Sequence, residues 1–203
     1  MGANLKTTFI VDVEATCWTT DPDQPWSEQQ NGRPNEVIEI GIVALNLKDM
    51  GILQQASYLV KPRRTAVSKF CTELTGWTQQ DVDGAPDILE VLSSIRRDFN
   101  ITRHHTWWSY GEYDKYKLSS EPGNGSLFDL YGTISQEFPQ SPFSQMRAHF
   151  NAKTLFAMKH NLQRELGMAR AMNFLNLPLE GRHHNGLDDA VNITKIVKNI
   201  LRG

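Results

Sequence analysis

The chain has 203 residues, 39% of them hydrophobic and 22% charged, with a formal net charge of -2. That length suits one globular domain over residues 1–203 with a substantial core, and the near-neutral charge weighs against a passive module that holds nucleic acid by bulk attraction. Two cysteines, Cys17 and Cys71, cannot build a disulfide framework or a zinc finger, and apolar runs too short for a bilayer after a start, MGANLKT, without signal or myristoylation features predict a soluble, cytoplasmic protein.

Thr8 to Val13 and Val37 to Leu47 are rich in β-branched residues, and Ile52 to Val60 follows turn residues Asp49 and Gly51, so three early strands in a meander are expected. The connection from Asp21 to Asn35 is polar, carries Pro, Gly and Trp26, and is long for a hairpin, which marks it as a functional loop. Ser68 can cap a short helix toward Thr75 with Gly76 as its stop, and Asp87 to Phe99 places Ile88, Leu89, Val91, Leu92 and Ile95 on one helical face. Thr106 to Tyr110 reads as a fourth strand ended by Gly111, Ser119 to Gln145 as loop, and helices resume at Ala152, Gln163 and Gly186. Strands first, then strand and helix alternating, predict an α/β fold with a mixed sheet.

Asp12 and Glu14 stand two apart in an apolar strand, and the period of two sends both side chains to one face. Burying two like charges there is costly unless a cation neutralises them. On a carboxyl-terminal helix from Leu187, Asp189 falls within the apolar sector near Ile193, Ile196 and Ile200. Asp188 falls opposite, with Asn192, Lys195 and Asn199, as a solvated acid of the first turn. His184 precedes Asp189 by five residues, about 140° apart on a continuous helix, so the two can share a site only if His184 lies in the loop before it. His183 is the weaker candidate. Beside the fourth strand's end, composition does not choose between Glu112 and Asp114 as a ligand.

Taken together, DVEATCW (12–18), NEVIEIGIVAL (35–45), SKFCTELTGWTQ (68–79), SYGEYDK (109–115) and HNGLDDA (184–190) resemble the DEDDh, or DnaQ-like, 3′→5′ exonucleases. Within that superfamily the chain looks most like the Eri1-like group of histone-messenger 3′-exonucleases and cell-death-related nucleases. The resemblance implies a ribonuclease-H-like fold with a central mixed five-stranded sheet flanked by helices. It implies Asp12, Glu14, Asp114 and Asp189 as holders of two divalent cations, Mg²⁺ or Mn²⁺, and His184 as general base. Ala15 and Thr16 would approach the terminal nucleotide, and Leu74 and Thr75 the penultimate one. Residues from Asp129 to Gln145 match nothing in the pattern, and no SAP-type or zinc accessory module is recognised.

The partner implied is a nucleic acid with a free 3′ end, RNA favoured over DNA, shortened to 5′-nucleoside monophosphates; no membrane is implied, and protein partners are left unknown. Alternatives are a DNA-directed proofreading or repair exonuclease and a catalytically weak nucleic-acid-binding adaptor, although none of the five site residues is missing. Trp18, Trp107 and Trp108 can stack on unpaired bases or fill the core, and Lys61 to Arg64 can meet phosphates or solvent.

Overall fold

Alternating apolar side chains make the first strand, β1 (Thr7–Ala15), two-faced: Phe9, Val11 and Val13 point one way, Ile10, Asp12 and Glu14 the other. The structure, a computed structural model, describes residues 6–19, 29–30, 33–118 and 141–202. Antiparallel to β1 runs β2 (Val37–Asn46), and β3 (Ile52–Leu59) returns beside it after the turn at Asp49 to Gly51, so the expected meander forms. β4 (Thr106–Ser109) pairs parallel with β1, and β5 (Ala148–Asn151) pairs parallel with β4. The sheet order is therefore β3-β2-β1-β4-β5, the mixed five-stranded sheet of a ribonuclease-H-like fold.

One face of the sheet packs on helix α3 (Ile88–Asp98), where Asp87 and Glu90 form a capping box and Leu92 and Ile95 join Phe9, Val11, Ile40, Ile42 and Trp107. The shorter helices α1 (Lys69–Thr75) and α2 (Gln79–Asp83) precede it. Ser68 caps α1, and Gly76, at φ +90, stops it in the left-handed conformation that glycine tolerates best. α4 (Tyr113–Leu118) and α5 (Pro142–Gln145) follow β4 in sequence. The opposite face carries α6 (Ala152–Lys159), α7 (Met168–Phe174) and α8 (Gly186–Leu201), whose Phe156, Met172, Ile193 and Ile196 cover Ile10, Val43, Leu45 and Trp108. No described helix is long and apolar enough to cross a membrane.

Two local expectations are corrected and two open alternatives are decided. The helix expected from Gln163 begins instead at Met168, because Asn161 turns left-handed at φ +51 and Leu162 donates back to the Ala157 carbonyl, closing α6 and leaving Gln163 to Leu166 in a connection. Residues 141–145, expected to be loop, contain the single turn of α5; residues 119–140, Trp26 and most of the Asp21 to Asn35 loop lie outside the described residues. Trp107 and Trp108 are 2% and 5% exposed, on opposite sides of the sheet, and Trp18 is 6% exposed, so all three indoles are packed. The basic run at Lys61 to Arg64 is a structural loop: the backbone N–H groups of Arg63, Arg64 and Thr65 all donate to the buried Glu36 carboxylate, and Arg63 pairs with Asp87.

Candidate active site

Side-chain alternation places Asp12 and Glu14 on the α8 face of β1, where Ile10 is already packed. Asp12 lies directly across the strand pair from Gly41, and Glu14 from Glu39. A Cβ on Gly41 would stand 2.1 Å from the Gly186 carbonyl, and one on Gly186 would be crowded at 3.1 Å by Gly41 N and the Glu39 carboxyl carbon. This pair of glycines lets the amino-terminal turn of α8 rest on β2, within reach of the β1 acids. Asp189, in that first turn, is 4% exposed and shares a cluster with Asp12 and Glu14 in which one ligand atom from each lies within 4.8 Å of the others.

Asp114 arrives from a different direction. β1 and β4 pair only as far as Ile10 and Trp108, and beyond them the chain turns at Gly111 into α4. There the Asp114 carboxylate accepts the N–H of Val13 at 3.0 Å, taking the place of a strand partner. Glu112 is instead engaged by Asn151 and Lys115, and only Asp114 of the two lines the cavity. The cavity has a volume of about 310 Å³ and is walled by Asp12, Glu14, Ala15, Asp114, His183, His184 and Asp189, with Asn35, Tyr110 and Tyr113 among the remaining lining.

His184 lies in the loop ahead of α8, as its five-residue spacing to Asp189 requires, since Asn185 caps the helix and Gly186 starts it. It adopts φ +65, and its backbone N–H donates to Asp189 Oδ2 at 2.9 Å. The side chain bonded to Asp189 belongs to its neighbour: His183 Nδ1 lies 2.9 and 3.1 Å from the two carboxylate oxygens. The two imidazoles stack with centroids 4.0 Å apart.

These surroundings disfavour charge. Burial first, then the negative neighbours Asp114, Glu14, Asp189 and Glu39, hold the Asp12 carboxyl well above the usual carboxylate range. Glu14 is pushed up to about 9 by burial, then by Asp189, Glu39 and Asp114. Burial takes Asp114 up to about 6 despite its hydrogen bond from Val13, and raises Asp189 despite that from the His184 backbone. Burial, then His183 and Arg182, push His184 down to about 4, so its imidazole is neutral at pH 7. Four crowded carboxyls that resist ionisation alone form a donor set of hard oxygens that suits a divalent cation.

The substrate residues inferred from sequence are not all at the cavity wall. Ala15 lines it. The Thr16 hydroxyl is buried, accepting the Glu36 N–H and bonding Thr65. Leu74 packs against the Cys17 and Cys71 cluster, and Thr75 is 1% exposed, its hydroxyl donating to the Cys71 carbonyl. Asp188, expected to be solvated, accepts the Arg182 N–H, and a Cβ on Gly181 would stand 2.1 Å from its carboxyl. Asn192, on the same expected polar side, is fully buried, because residues 178–182 cross over that side and Asn192 bonds both polar backbone groups of Glu180.

Glu39 was invisible to the sequence reading. Its carboxylate is fully buried and accepts from Ser57 at 2.6 Å, Trp77 Nε1 at 2.7 Å and Gly186 N at 2.8 Å. It thereby joins the edge strand, the segment after α1 and the start of α8. Arg182 makes a second tie, its guanidinium donating to the Glu73 and Leu74 carbonyls at the carboxyl-terminal end of α1. The only sequence signal for either was a charge in an apolar or loop setting.

Residues 9–106 match the exonuclease family model. The chain is similar to ERI1 exoribonuclease 2 of Danio rerio, 27% identical over 95% of this chain and 34% of that protein, and to ERI1 exoribonuclease 3 of Homo sapiens, 28% identical over 95% of this chain and 52% of that protein. It thus spans between about a third and about half the length of these two relatives. Among solved structures, the nuclease domain of the DEDDh protein 3′hExo bound to rAMP superposes with a TM-score of 0.73 at 23% identity, over 100% of this chain and 94% of that one, a likeness of fold.

Proposed function

We propose that the chain is a divalent-metal-dependent 3′→5′ exonuclease that removes 5′-nucleoside monophosphates from 3′-hydroxyl ends, of RNA in preference to DNA, a reading supported by the match of residues 9–106 to the exonuclease family model. The observation that carries this reading is the convergence of Asp12, Glu14, Asp114 and Asp189, from three separate elements, on one cavity beside a neutral histidine.

In this reading Asp12, Glu14, Asp114 and Asp189 hold two divalent cations of the Mg²⁺ or Mn²⁺ class. Such ions supply charge neutralisation at the scissile phosphate and lower the barrier to deprotonating water. His184 accepts a proton from the attacking water, a role open to its half-buried imidazole because the ring is neutral at pH 7. Ala15 approaches the terminal nucleotide at the cavity wall. Thr16 is placed with it beside the terminal nucleotide, and Leu74 and Thr75 near the penultimate one.

The assay is stepwise shortening of 5′-labelled single strands, comparing matched RNA and DNA with 3′-hydroxyl or 3′-phosphate ends under Mg²⁺ and Mn²⁺. Loss of shortening in Asp12→Ala and His184→Ala is the expected result. Equal products from wild type and both variants would overturn the mechanism, and preference for DNA would overturn the substrate.

Metal binding and pH are linked with a definite sign. Glu14 moves from an ordinary value of 4.5 to about 9 in the folded, metal-free protein, so between those values the folded state holds more protons than the unfolded one. Stability of the metal-free protein therefore falls as pH rises through that window. Cations bind the deprotonated carboxylates and remove the penalty. Melting in chelator should fall in temperature as pH rises from about 5 to about 9, and saturating Mg²⁺ or Mn²⁺ should flatten the decline; parallel curves would contradict the linkage.

A further inference from the structure

His183 has no part in the mechanism above, yet its ring lies within hydrogen-bond distance of both Asp189 carboxylate oxygens. Two groups of ligand atoms meet at that carboxylate. One, Asp12, Glu14 and Asp189, is all oxygen; the other, His183, His184 and Asp189, contributes two imidazoles and one carboxylate, again with one ligand atom from each within 4.8 Å of the others. Their chemistry differs. Oxygen sets suit Mg²⁺ and Mn²⁺, whereas two imidazoles and a carboxylate form the three-ligand set that Zn²⁺ accepts, with a fourth position open.

We propose that His183, His184 and Asp189 form a second, nitrogen-bearing cation site that takes Zn²⁺ and overlaps the carboxylate cluster through Asp189. The backbone prepares it. His184 is turned to φ +65 by a loop that begins at Gly181 and is clamped by Arg182 on α1 and by Gly186 on Glu39, so the two imidazoles are presented side by side. His183 Nδ1 already faces both Asp189 oxygens. Its side chain is 43% exposed, so the ring can adjust to a cation without repacking the core.

Overlap gives the site a consequence, which rests on the proposed nuclease reading. Zn²⁺ at the two histidines withdraws the His184 lone pair and one carboxylate from the oxygen cluster, so Zn²⁺ inhibits where Mg²⁺ or Mn²⁺ supports reaction. The site responds to the ratio of cations rather than to either alone.

The test separates binding from catalysis. Asp12→Asn/Glu14→Gln protein, which lacks two of the four carboxylates, is titrated with Zn²⁺ by calorimetry and with Co²⁺ by visible absorption. It should still bind Zn²⁺, and adding His183→Ala should weaken that binding by about tenfold or more and alter the Co²⁺ spectrum. His183→Gln, with circular dichroism as a check of folding, serves if the alanine variant does not fold. Unchanged Zn²⁺ affinity on removing His183, or no binding to the double variant, overturns the site. In otherwise wild-type protein, Zn²⁺ added to a Mn²⁺-supported reaction should inhibit, and His183→Ala should require more Zn²⁺ for the same inhibition. Absence of any nuclease activity would overturn the proposed function and leave the binding result standing.

Discussion

Replacing Glu14 with Gln is expected to lower nuclease activity by on the order of 10² to 10³ or more, the scale of losing one preorganised electrostatic contact, while raising the melting temperature of the metal-free protein. The two effects have one cause. Glu14 is 7% exposed, and its strand partner is the fully buried Glu39, so an ionised Glu14 is surrounded by negative charge. The neutral isostere keeps the shape and removes the cost of protonating or ionising a buried carboxyl, but surrenders the charge on which cation binding depends. With Mg²⁺ present the order of stability should reverse, since wild type binds the ion more tightly and gains more from it. Thermal melts with chelator and with Mg²⁺, beside initial rates on a labelled strand, check all three parts. A variant that is inactive but also less stable without metal would mean that Glu14 serves the packing of β1 instead.

Gly41→Ala should damage the protein as severely without touching an ionisable group. The new methyl would meet the Gly186 carbonyl carbon and oxygen at 2.1 Å and the Leu187 nitrogen at 2.4 Å, all of them backbone atoms that cannot rotate aside. The start of α8 must therefore lift from β2. Overpacking of this kind costs about 1–3 kcal/mol when side chains can yield and more when they cannot, or roughly 6–12 °C in melting temperature for about 3 kcal/mol in a chain this size. Gly186 N also stands to lose its bond to Glu39, and Asp189 and His184 ride on the same turn. A displacement of about 1 Å at reacting groups is worth about 10²-fold in rate, so kcat should fall even at temperatures where the variant is folded. Wild-type kcat in a folded Gly41→Ala protein would show that α8 can move without consequence for the site.

The site was legible in sequence where a short-range period governs it. Asp12 and Glu14 share a face with Ile10 because strands alternate, and Asp189 is separated from Asp188 by one helical step of about 100°, which the burial of Asp189 matches. The loop position of His184 followed from the same geometry. What remained hidden depends on partners distant in the chain. Glu39 sits in the run VIEIGIVAL, which reads simply as a buried strand, and its donors Ser57, Trp77 and Gly186 become neighbours only when the sheet and α8 assemble.

The same reason accounts for β5 and for Asn192. Ala148–Asn151 contains no β-branched residue and becomes a strand because β4 offers an open edge. Asn192 reads as a solvent-facing residue until residues 178–182 pass over it. In each case local propensity was neutral and tertiary packing decided the outcome.

The placement of the acids along the chain also makes the site dependent on distant segments meeting. Asp12 and Glu14 belong to the first described strand, whereas Asp189 and His184 belong to the last described helix and the loop before it. Closing the site is a long-range contact of the slowest-forming kind. The carboxylate cluster is therefore incomplete until the first turn of α8 has docked on β1 and β2.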